Sequence, residues 1–457
     1  MSSEPQPSLL CRLLSSTGLQ ALYQTGLDAH LIILSRSSRM LAYGGSSLIL
    51  ALFFSSLHVP DARIGLFMTL TLAGDVALSL GLALIADRVG RRRILKTGSV
   101  LMILSGVVFA LCENYWILLG AAILGVISAT GGDFGPFRAI EESVVSGLAK
   151  KEERADVLVW YVMMASFGSA AGTGIAGWLI EVLSAKEGWR LLDAYHAVFW
   201  GYAAMGAVNL VCASLLSDRC ELKPAGTSEG DEERRPLLNE SQNDDSSSSG
   251  KHYKSWISRI SRETLSIMSI LWFLLMVDSL ADGMANMSLT SYYLDQKFSL
   301  LKSVLGNIVS TSYLLAAVAT IFASPLSRAL GLVNTMVFTH IPSSAAVLLF
   351  PLPRGVVITF ALLLVRMGLN NMDQAPRAAL IAATVRPDER TAVMGITGML
   401  RTLASTTGPI ITGVLAEGGN FWAAFVVAGA LRLAYDVGLF AMFINIKLHK
   451  DEEDGSS

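Results

Sequence analysis

The sequence predicts an all-α membrane protein with 12 transmembrane helices in two pseudo-symmetric six-helix bundles. The first observation is composition: 52% of the 457 residues are hydrophobic and only 16% are charged, whereas soluble domains carry about 25% charged residues. The second is that the apolar residues lie in blocks of about 20, the length a helix needs to cross roughly 30 Å of hydrocarbon. The third is a similarity between the two halves at one fixed offset. These observations exclude a water-soluble enzyme.

Twelve apolar blocks follow one another along the chain. We expect membrane spans at 40–58, 64–86, 95–112, 116–139, 158–182 and 194–216, and again at 264–286, 303–325, 329–350, 355–373, 391–415 and 421–445. The spans divide the chain into an N-terminal segment at 1–39, bundles at 40–216 and 264–445, a linker at 217–263 and a tail at 446–457. The linker is polar and serine-rich, so we expect it to be disordered.

Lysine and arginine are distributed unequally among the short loops. The loop after span two holds Arg88, Arg91, Arg92, Arg93 and Lys96, whereas the loops around 59–62, 113–115 and 417–420 hold neither residue type. Because basic loops stay on the cytoplasmic side, we expect the basic loops, the linker and both termini to be cytoplasmic.

The end of span four through span five resembles the end of span ten through span eleven. A shift of 236 positions, with no gap, superimposes six identical residues: Glu153-Arg154 on Glu389-Arg390, Val157 on Val393, Gly172 on Gly408, Gly177 on Gly413, and Glu181 on Glu417. A parallel repeat of six helices is a known transporter architecture, with the solute site near the midplane between the halves.

The loop between spans two and three carries a specific motif. It reads Ala83-Leu-Ile-Ala-Asp87-Arg88-Val-Gly90-Arg91-Arg92-Arg93, which resembles the signature loop G-x-x-x-D-R-x-G-R-R of the major facilitator superfamily, with alanine at the first glycine. The resemblance implies a 12-helix secondary transporter, similar to drug/proton antiporters. It also implies that Asp87, Arg88, Gly90, Arg91 and Arg92 form a cytoplasmic latch between the halves. Positive-inside topology alone would explain the arginines but not Asp87 and Gly90.

Two glycine-rich segments resemble the antiporter motif of the same family. Span five carries Gly172 and Gly177, and span eleven carries the fuller form with Gly408, Pro409 and Gly413. Small residues let helices pack closely and slide. Helix packing without a mechanistic role is an equally good interpretation.

Ionisable residues inside the membrane are expensive, so each one is a candidate for function. We expect Asp75, Asp133, Asp278 and Asp282 to be candidate proton carriers, because a carboxylate in an apolar cavity can exchange a proton near neutral pH. Arg366 is then a partner for one of them or a contact for an anionic substrate. His340 is interpreted as a packing histidine rather than a switch, and Arg432 is expected to pair with Asp436, four residues away.

Charges cluster beside Pro136 and Pro376, near the ends of spans four and ten. Arg138 can reach Glu141 or Glu142, and Asp373 can reach Arg377. Broken segments at matching positions of two repeats indicate the working site. We therefore predict ion pairs between the halves that form and break as access alternates; static pairs at helix ends are the alternative.

The linker contains a short sorting motif. Glu233, Leu237 and Leu238 fit the acidic dileucine signal that clathrin adaptors read, which predicts a lysosomal or vacuolar membrane, with the plasma membrane as the alternative.

These observations together predict a carrier rather than an enzyme. We expect a monomer in lipid that moves a small organic solute, coupled to protons, by efflux or antiport. The alternatives are a symporter for uptake or organelle export and a receptor or sensor on the same fold. The sequence has no nucleotide-binding loop, and we expect no cofactor, metal or nucleic-acid partner.

Overall fold

The computed structural model describes residues 19–125, 127, 136–150, 153–221, 261–370, 372–385 and 389–443, and the described part of the chain is helical. The predictions for the linker at 222–260, the tail at 446–457, Asp133 and the sorting motif (Glu233, Leu237, Leu238) lie outside these residues. In the first half the helices are α1 (Leu19–Gln24), α2 (Leu27–Ser56), α3 (Asp61–Val89), α4 (Arg91–Leu111), α5 (Tyr115–Gly125), α6 (Pro136–Leu148), α7 (Arg154–Ser184) and α8 (Leu191–Leu215), followed by a 3-10 turn at Asp218–Cys220.

The second half repeats this order. Its helices are α9 (Arg262–Met284), α10 (Met287–Phe298), α11 (Lys302–Leu330), α12 (Leu332–Leu349), α13 (Val356–Asn370), α14 (Gln374–Thr384), α15 (Arg390–Glu417) and α16 (Phe421–Phe443). Among the described residues, eight helices are long and apolar enough to span a bilayer, and two shorter ones, α5 and α13, are also apolar. Three spans consist of two helices each: α5 and α6 form span four, α9 and α10 span seven, and α13 and α14 span ten. The predicted bounds of spans seven and ten covered only α9 and α13, so α10 and α14 lie beyond them.

The predicted boundary at 39/40 falls inside α2, which begins at Leu27. Arg36 and Arg39 fall in the segment at 1–39 that was predicted to precede the first span. Both arginines are instead buried, because groups on other helices satisfy them, as described below. The first bundle therefore extends about four turns further toward the N-terminus than predicted.

Two of the shorter helices, α10 and α6, begin at residues suited to a helix start. Between α9 and α10, the side chain of Asn286 accepts a hydrogen bond from the backbone amide of Leu289 at 2.9 Å and so caps α10. Proline stands at the first position of α6, where its missing amide costs no intrahelical bond. Backbone groups freed inside a membrane need new partners, and the breaks bring such partners together.

The helices pair in the same way in both halves. In the first half α2 packs against α7 and α4 against α8; in the second half α9 packs against α15 and α12 against α16. Between the halves, α7 packs against α11 and α15 against α3. The two bundles are thus related by a pseudo-twofold, as the 236-residue offset predicts.

The glycines of the repeat lie at the equivalent contacts. A Cβ atom at Gly172 would clash with the backbone of Leu41 in α2, and one at Gly408 would clash with the backbone of Gly283 in α9. A Cβ at Gly177 would lie 2.9 Å from the Cα of Gly306 in the other half. In each half the first glycine therefore packs inside its own bundle, and the second packs against the opposite bundle.

Pro409 adds a polar contact to this interface. It lies inside α15, and the backbone amide of Ile410 donates a hydrogen bond to Thr69 Oγ1 of α3 at 3.1 Å. A Cβ at Gly65 would clash with the carbonyl oxygen of Pro409. Pro409 and Gly413 of the span-eleven motif thus lie against the other half, while Gly408 packs inside its own bundle.

We call the end of the bundle at Glu181 and Glu417 the Glu181 end, and the opposite end, at Gly90 and Glu389, the Gly90 end. Gly395 lies 18 residues before Gly413, on the same face of α15, five turns of 3.6 residues toward the Gly90 end. A Cβ at Gly395 would meet no described heavy atom within 4 Å, whereas one at Gly413 would lie 2.9 Å from the Cα of Gly65. The halves therefore touch at the Glu181 end, and in the described part of the chain nothing packs against Gly395 on the same face of α15 at the Gly90 end.

Candidate functional site

Two glutamates tie the halves together at the Glu181 end. Glu181, near the end of α7, accepts a hydrogen bond from the backbone amide of Lys302 at 3.1 Å. Glu417, at the end of α15, accepts one from the amide of Ala62, also at 3.1 Å. Each carboxylate lies at the N-terminus of a helix from the opposite half, where the helix dipole and free amides favour a negative charge. The repeat alignment included both glutamates, but no local pattern indicated this role.

A tyrosine adds a third link between the halves. The hydroxyl of Tyr292 in α10 donates a hydrogen bond to Asp61 Oδ1 of α3 at 2.7 Å, and lies 3.1 Å from the hydroxyl of Ser55. Asp61 is also the first residue of α3. Three carboxylates, Asp61, Glu181 and Glu417, thus take part in the contacts that close the Glu181 end.

The signature loop turns at Gly90. This residue has a φ of 99°, a backbone conformation that glycine adopts without a steric cost. Gly331, with a φ of 85°, makes the equivalent turn before α12. Asp87 and Arg88 fall in the last turn of α3, and their side chains lie outside the described part of the structure.

The first turn of α4 is capped by Glu221. Its two carboxylate oxygens accept hydrogen bonds from the backbone amides of Arg91 at 2.8 Å and Arg92 at 3.1 Å, and Arg92 pairs with Asp218. The basic loop is thus held to the segment that follows α8, inside its own half. Sequence reasoning assigned Arg91 and Arg92 to a latch between the halves, and in this structure their described contacts are within the first half.

The first bundle contains a buried ion pair that sequence reasoning missed. Arg39 in α2 and Glu141 in α6 form a bidentate pair with N–O distances of 2.8 and 2.7 Å, and each side chain is 1% exposed. Tyr161 in α7 donates a hydrogen bond to Glu141 at 2.8 Å. Arg36 lies over the ring of Tyr161, 4.0 Å from its centroid, and donates to its hydroxyl. The pair thus joins three helices, α2, α6 and α7. Its hydrogen bonds offset the cost of burial, since a buried charge is stable only when it is paired and hydrogen-bonded.

The predicted gating residues pair within their own halves. Arg138 and Glu142 form a salt bridge of 2.7 Å one helical turn apart on α6, with half-exposed side chains. Asp373 and Arg377 form a buried pair, also one turn apart. The structure thus differs from the prediction that these groups pair across the halves: residues four apart on a helix reach each other with no movement of a bundle.

The second bundle holds the larger charge cluster, on the helices around the breaks of spans seven and ten. Asp278 is 3% exposed; its Oδ2 lies 3.8 Å from Arg377, and its Oδ1 lies 3.5 Å from His340 Nε2. Asp75, the predicted carrier in span two, is also buried, at 4% exposure. Asp278 is therefore the predicted carrier with the most charged neighbours among those described.

His340 connects α12 to α16. Its Nδ1 lies 2.7 Å from Asp436 Oδ1, and the hydroxyl of Ser344 donates to Asp436 Oδ2 at 2.8 Å. Its Nε2 lies 2.7 Å from an Nη atom of Arg432. His340 is thus a buried histidine with both ring nitrogens satisfied, as interpreted from the sequence, and the groups that satisfy them are charged.

Arg432 forms its salt bridge with a residue other than Asp436. It forms a salt bridge of 2.9 Å with Asp282 of α9 and donates to the side-chain oxygen of Asn370, at the end of α13. The prediction that Arg432 pairs with Asp436 was wrong, because these groups have closer partners on α9, α12 and α13. The spacing of the two residues could not show this, since the partners are remote in sequence.

Arg366 hydrogen-bonds to the break in span seven, between α9 and α10. It donates hydrogen bonds to the carbonyl oxygen of Ala285 and, at 3.1 Å, to the hydroxyl of Thr290. The expectation that Arg366 pairs with a buried carboxylate is therefore corrected: its described partners are neutral oxygens at the junction of α9 and α10. An interrupted helix leaves carbonyls without amide partners, and a guanidinium can satisfy them.

Comparison with known proteins gives the family. The sequence profile of the Major Facilitator Superfamily matches residues 32–269 and 271–456. The chain is 32% identical to the uncharacterized membrane protein YJR124C of Saccharomyces cerevisiae over 424 residues, which cover 92% of this chain and 94% of that protein. It is 25% identical to the multidrug resistance protein MdtL of Escherichia fergusonii over 264 residues, covering 57% of this chain and 56% of MdtL.

The fold is also found in a solved transporter. The structure of the nucleoside transporter NupG superimposes with a TM-score of 0.71 at 12% sequence identity, over 91% of this chain and all of that one. Profile, relatives and fold agree with the span order, the repeat and the signature loop described above. The chain belongs to the major facilitator superfamily and has the fold of its transporters.

Proposed function

We propose that this chain is a proton-coupled secondary transporter of a small organic solute, which works by alternating access. The observation that carries the proposal is the buried cluster of Asp278, His340, Arg377 and Arg432 beside the breaks of spans seven and ten. Burying charges in the membrane costs free energy, so charged residues there are candidates for a functional role. Titration of such a cluster can change the contacts among four helices, which is what coupling requires.

The contacts between the halves support alternating access. The glycine pairs bring backbone against backbone, and each cap at Glu181 and Glu417 is a single hydrogen bond to a backbone amide, so these contacts can break and form again. We propose that the Gly90 end, with its basic loops, faces the cytoplasm. The structure would then be open to the cytoplasm and closed on the opposite side.

We propose efflux by antiport as the direction of transport. The glycine motif of α7 and α15 resembles the antiporter motif, and the relative MdtL is a multidrug resistance protein. Symport for uptake or organelle export is the second candidate. The dileucine motif at Glu233, Leu237 and Leu238 supports a lysosomal or vacuolar membrane reached through a clathrin adaptor.

Purified protein in liposomes tests the proposal. A panel of labelled drugs, nucleosides and other small organic solutes is offered to vesicles with an acidic interior, an acidic exterior or no gradient. Antiport predicts accumulation only in vesicles with an acidic interior, and symport only with an acidic exterior. Equal flux under all three gradient conditions, with no effect of a protonophore, would refute proton coupling. Solute binding without flux would favour a receptor.

Asp278→Asn separates coupling from solute movement. The variant is expected to lose gradient-driven accumulation and to keep exchange of labelled for unlabelled solute. Glu187→Gln, in the exposed loop after α7, is the matched control and should retain both.

A further inference from the structure

The contacts of His340 fix its protonation state in this structure. An arginine guanidinium has only donors, so the Arg432 Nη atom, 2.7 Å away, must donate to His340 Nε2. The ring proton then sits on Nδ1 and is donated to Asp436 Oδ1 at 2.7 Å. His340 is therefore neutral, with Nε2 as the position that can take a proton.

A carboxylate oxygen faces that position. Asp278 Oδ1 lies 3.5 Å from His340 Nε2, it has no hydrogen-bond partner among the described residues, and its side chain is buried. Buried carboxylate oxygens are almost always hydrogen-bonded. A proton on His340 Nε2 would therefore face Asp278 Oδ1 as its acceptor.

We propose that the coupling proton binds between His340 Nε2 and Asp278 Oδ1, with Arg432 as the group that it displaces. This inference rests on the proposed function. The proton adds to the Nε2 lone pair and forms an N–H bond, and the only interaction that breaks is the hydrogen bond from Arg432. The resulting imidazolium donates to Asp436 through Nδ1 and to Asp278 through Nε2.

Arg432 keeps two partners after displacement. These are Asp282 at 2.9 Å and the side-chain oxygen of Asn370. Asn370 is the last residue of α13, at the break of span ten. Protonation therefore exchanges a contact between α12 and α16 for one between α12 and α9, and moves Arg432 toward the break.

The other groups around the site set the balance. Asp278 and Asp436 favour the imidazolium, whereas Arg432 opposes it, and Arg377 competes for Asp278 from 3.8 Å. Two neutral groups also lie near: Ser344 contacts His340 Nδ1 at 3.2 Å, and the ring centroid of Tyr435 lies 5.4 Å from that of His340. Two more distant arginines have other contacts. Arg401 donates to Ser279, and the backbone carbonyl of Arg366 accepts from Ser343. Asp278 is the one carboxylate that gains a hydrogen bond on protonation, so its removal should weaken proton binding most.

Nitrogen NMR of the histidine rings tests the site directly. The intact protein, labelled with ¹⁵N-histidine, is reconstituted in liposomes and titrated from pH 8 to pH 5 without added solute. The His340 signals are identified by their loss in His340→Gln. His196→Gln, which removes a histidine of α8 in the other half, is the matched control and should leave them in place.

The expected result is a change of His340 from the neutral Nδ1–H form to the imidazolium within this pH range. In Asp278→Asn the midpoint should fall by about one pH unit or more, a tenfold or larger weakening of proton binding. His340 remaining neutral to pH 5 in the wild-type protein, or an unchanged midpoint in Asp278→Asn, would overturn the proposal. The wild-type titration decides the question even where the variant fails to fold.

Flux measurements on the same liposomes separate the two claims. Gradient-driven flux with a His340 that does not titrate would refute this site and leave proton coupling intact. Titration of His340 without gradient-driven flux would support the proton site and refute the proposed function.

Discussion

Gly413 of α15 lies against Gly65 of α3 so closely that a Cβ on Gly413 would be 2.9 Å from the Cα of its partner. Gly177 and Gly306 form the equivalent contact between α7 and α11. These two points hold the bundles together at the Glu181 end, and the account of alternating access depends on their ability to close and to separate.

A side chain at Gly413 should prevent this closure. Gly413→Leu is expected to reduce transport at least tenfold, because the added atoms meet backbone that cannot move aside, and overpacking costs about 1–3 kcal/mol. Gly201→Leu in α8 meets open space, on a helix that packs against helices of its own half, so it should keep flux near the wild-type level. Equal loss in both variants would show that the close contact at Gly413 is not the cause.

The glutamate caps should bias the equilibrium between closed and open states of the Glu181 end. Each cap combines a charge-assisted hydrogen bond with a helix-dipole interaction, together worth about 1–3 kcal/mol. Glu181→Ala and Glu417→Ala are therefore expected to open this end, and the double variant to open it further. Cross-linking rates of cysteine pairs across the end measure the shift.

Glu187→Ala provides the control for the caps, because its side chain is exposed at the same end. Unchanged cross-linking in the double variant would contradict a role for the two carboxylates.

The buried pair of Arg39 and Glu141 should be a structural support of the first bundle. Removal of one member leaves an uncompensated buried charge, at a cost of about 3–5 kcal/mol. Arg39→Met or Glu141→Met alone should therefore lower the Tm strongly, and the double substitution should recover much of the loss. Glu142→Gln in the half-exposed pair with Arg138 should change stability by less than about 1 kcal/mol. A double variant no more stable than the single ones would contradict this account.

Cys220 should react slowly with alkylating reagents. Burial, with the nearby charge of Asp28, raises the pKa of the Cys220 thiol to about 11. Because only the thiolate reacts, the rate of maleimide labelling in a protein with Cys220 as its one cysteine should rise about tenfold per pH unit from pH 7 to pH 9. The same protein unfolded in detergent should show a rate that flattens near the ordinary cysteine pKa of about 8.5. A plateau in the folded protein below pH 9 would contradict the raised pKa.

The helices and their twofold relation could be predicted from the sequence, since apolar length and a fixed repeat offset are local or regular signals. The start of α2 could not, because Arg36 and Arg39 have the composition of a membrane flank and are buried only through Glu141 and Tyr161, more than 100 residues away.

The charge cluster was predictable only in part. Asp278 and Asp282 could be selected because they are ionisable residues within a predicted span. Helical spacing predicted that Arg138 can reach Glu142 and that Asp373 can reach Arg377. The same spacing gave a wrong pair for Arg432, because helix packing brings His340, Asp282 and Asn370 closer than its neighbour on α16. Short-range rules fail where residues from several helices compete for one charge.

The measurement that tests alternating access most directly is a pair of distances between spin labels in liposomes at pH 8 and pH 5. One pair, Thr97→Cys with Met394→Cys, spans the halves at the Gly90 end; the other, Lys186→Cys with Leu352→Cys, spans them at the Glu181 end. The account predicts that the two distances change in opposite directions between these pH values, since the bundles pivot around the glycine contacts and protonation shifts the balance. Two distances that stay constant, or that widen together, would contradict it.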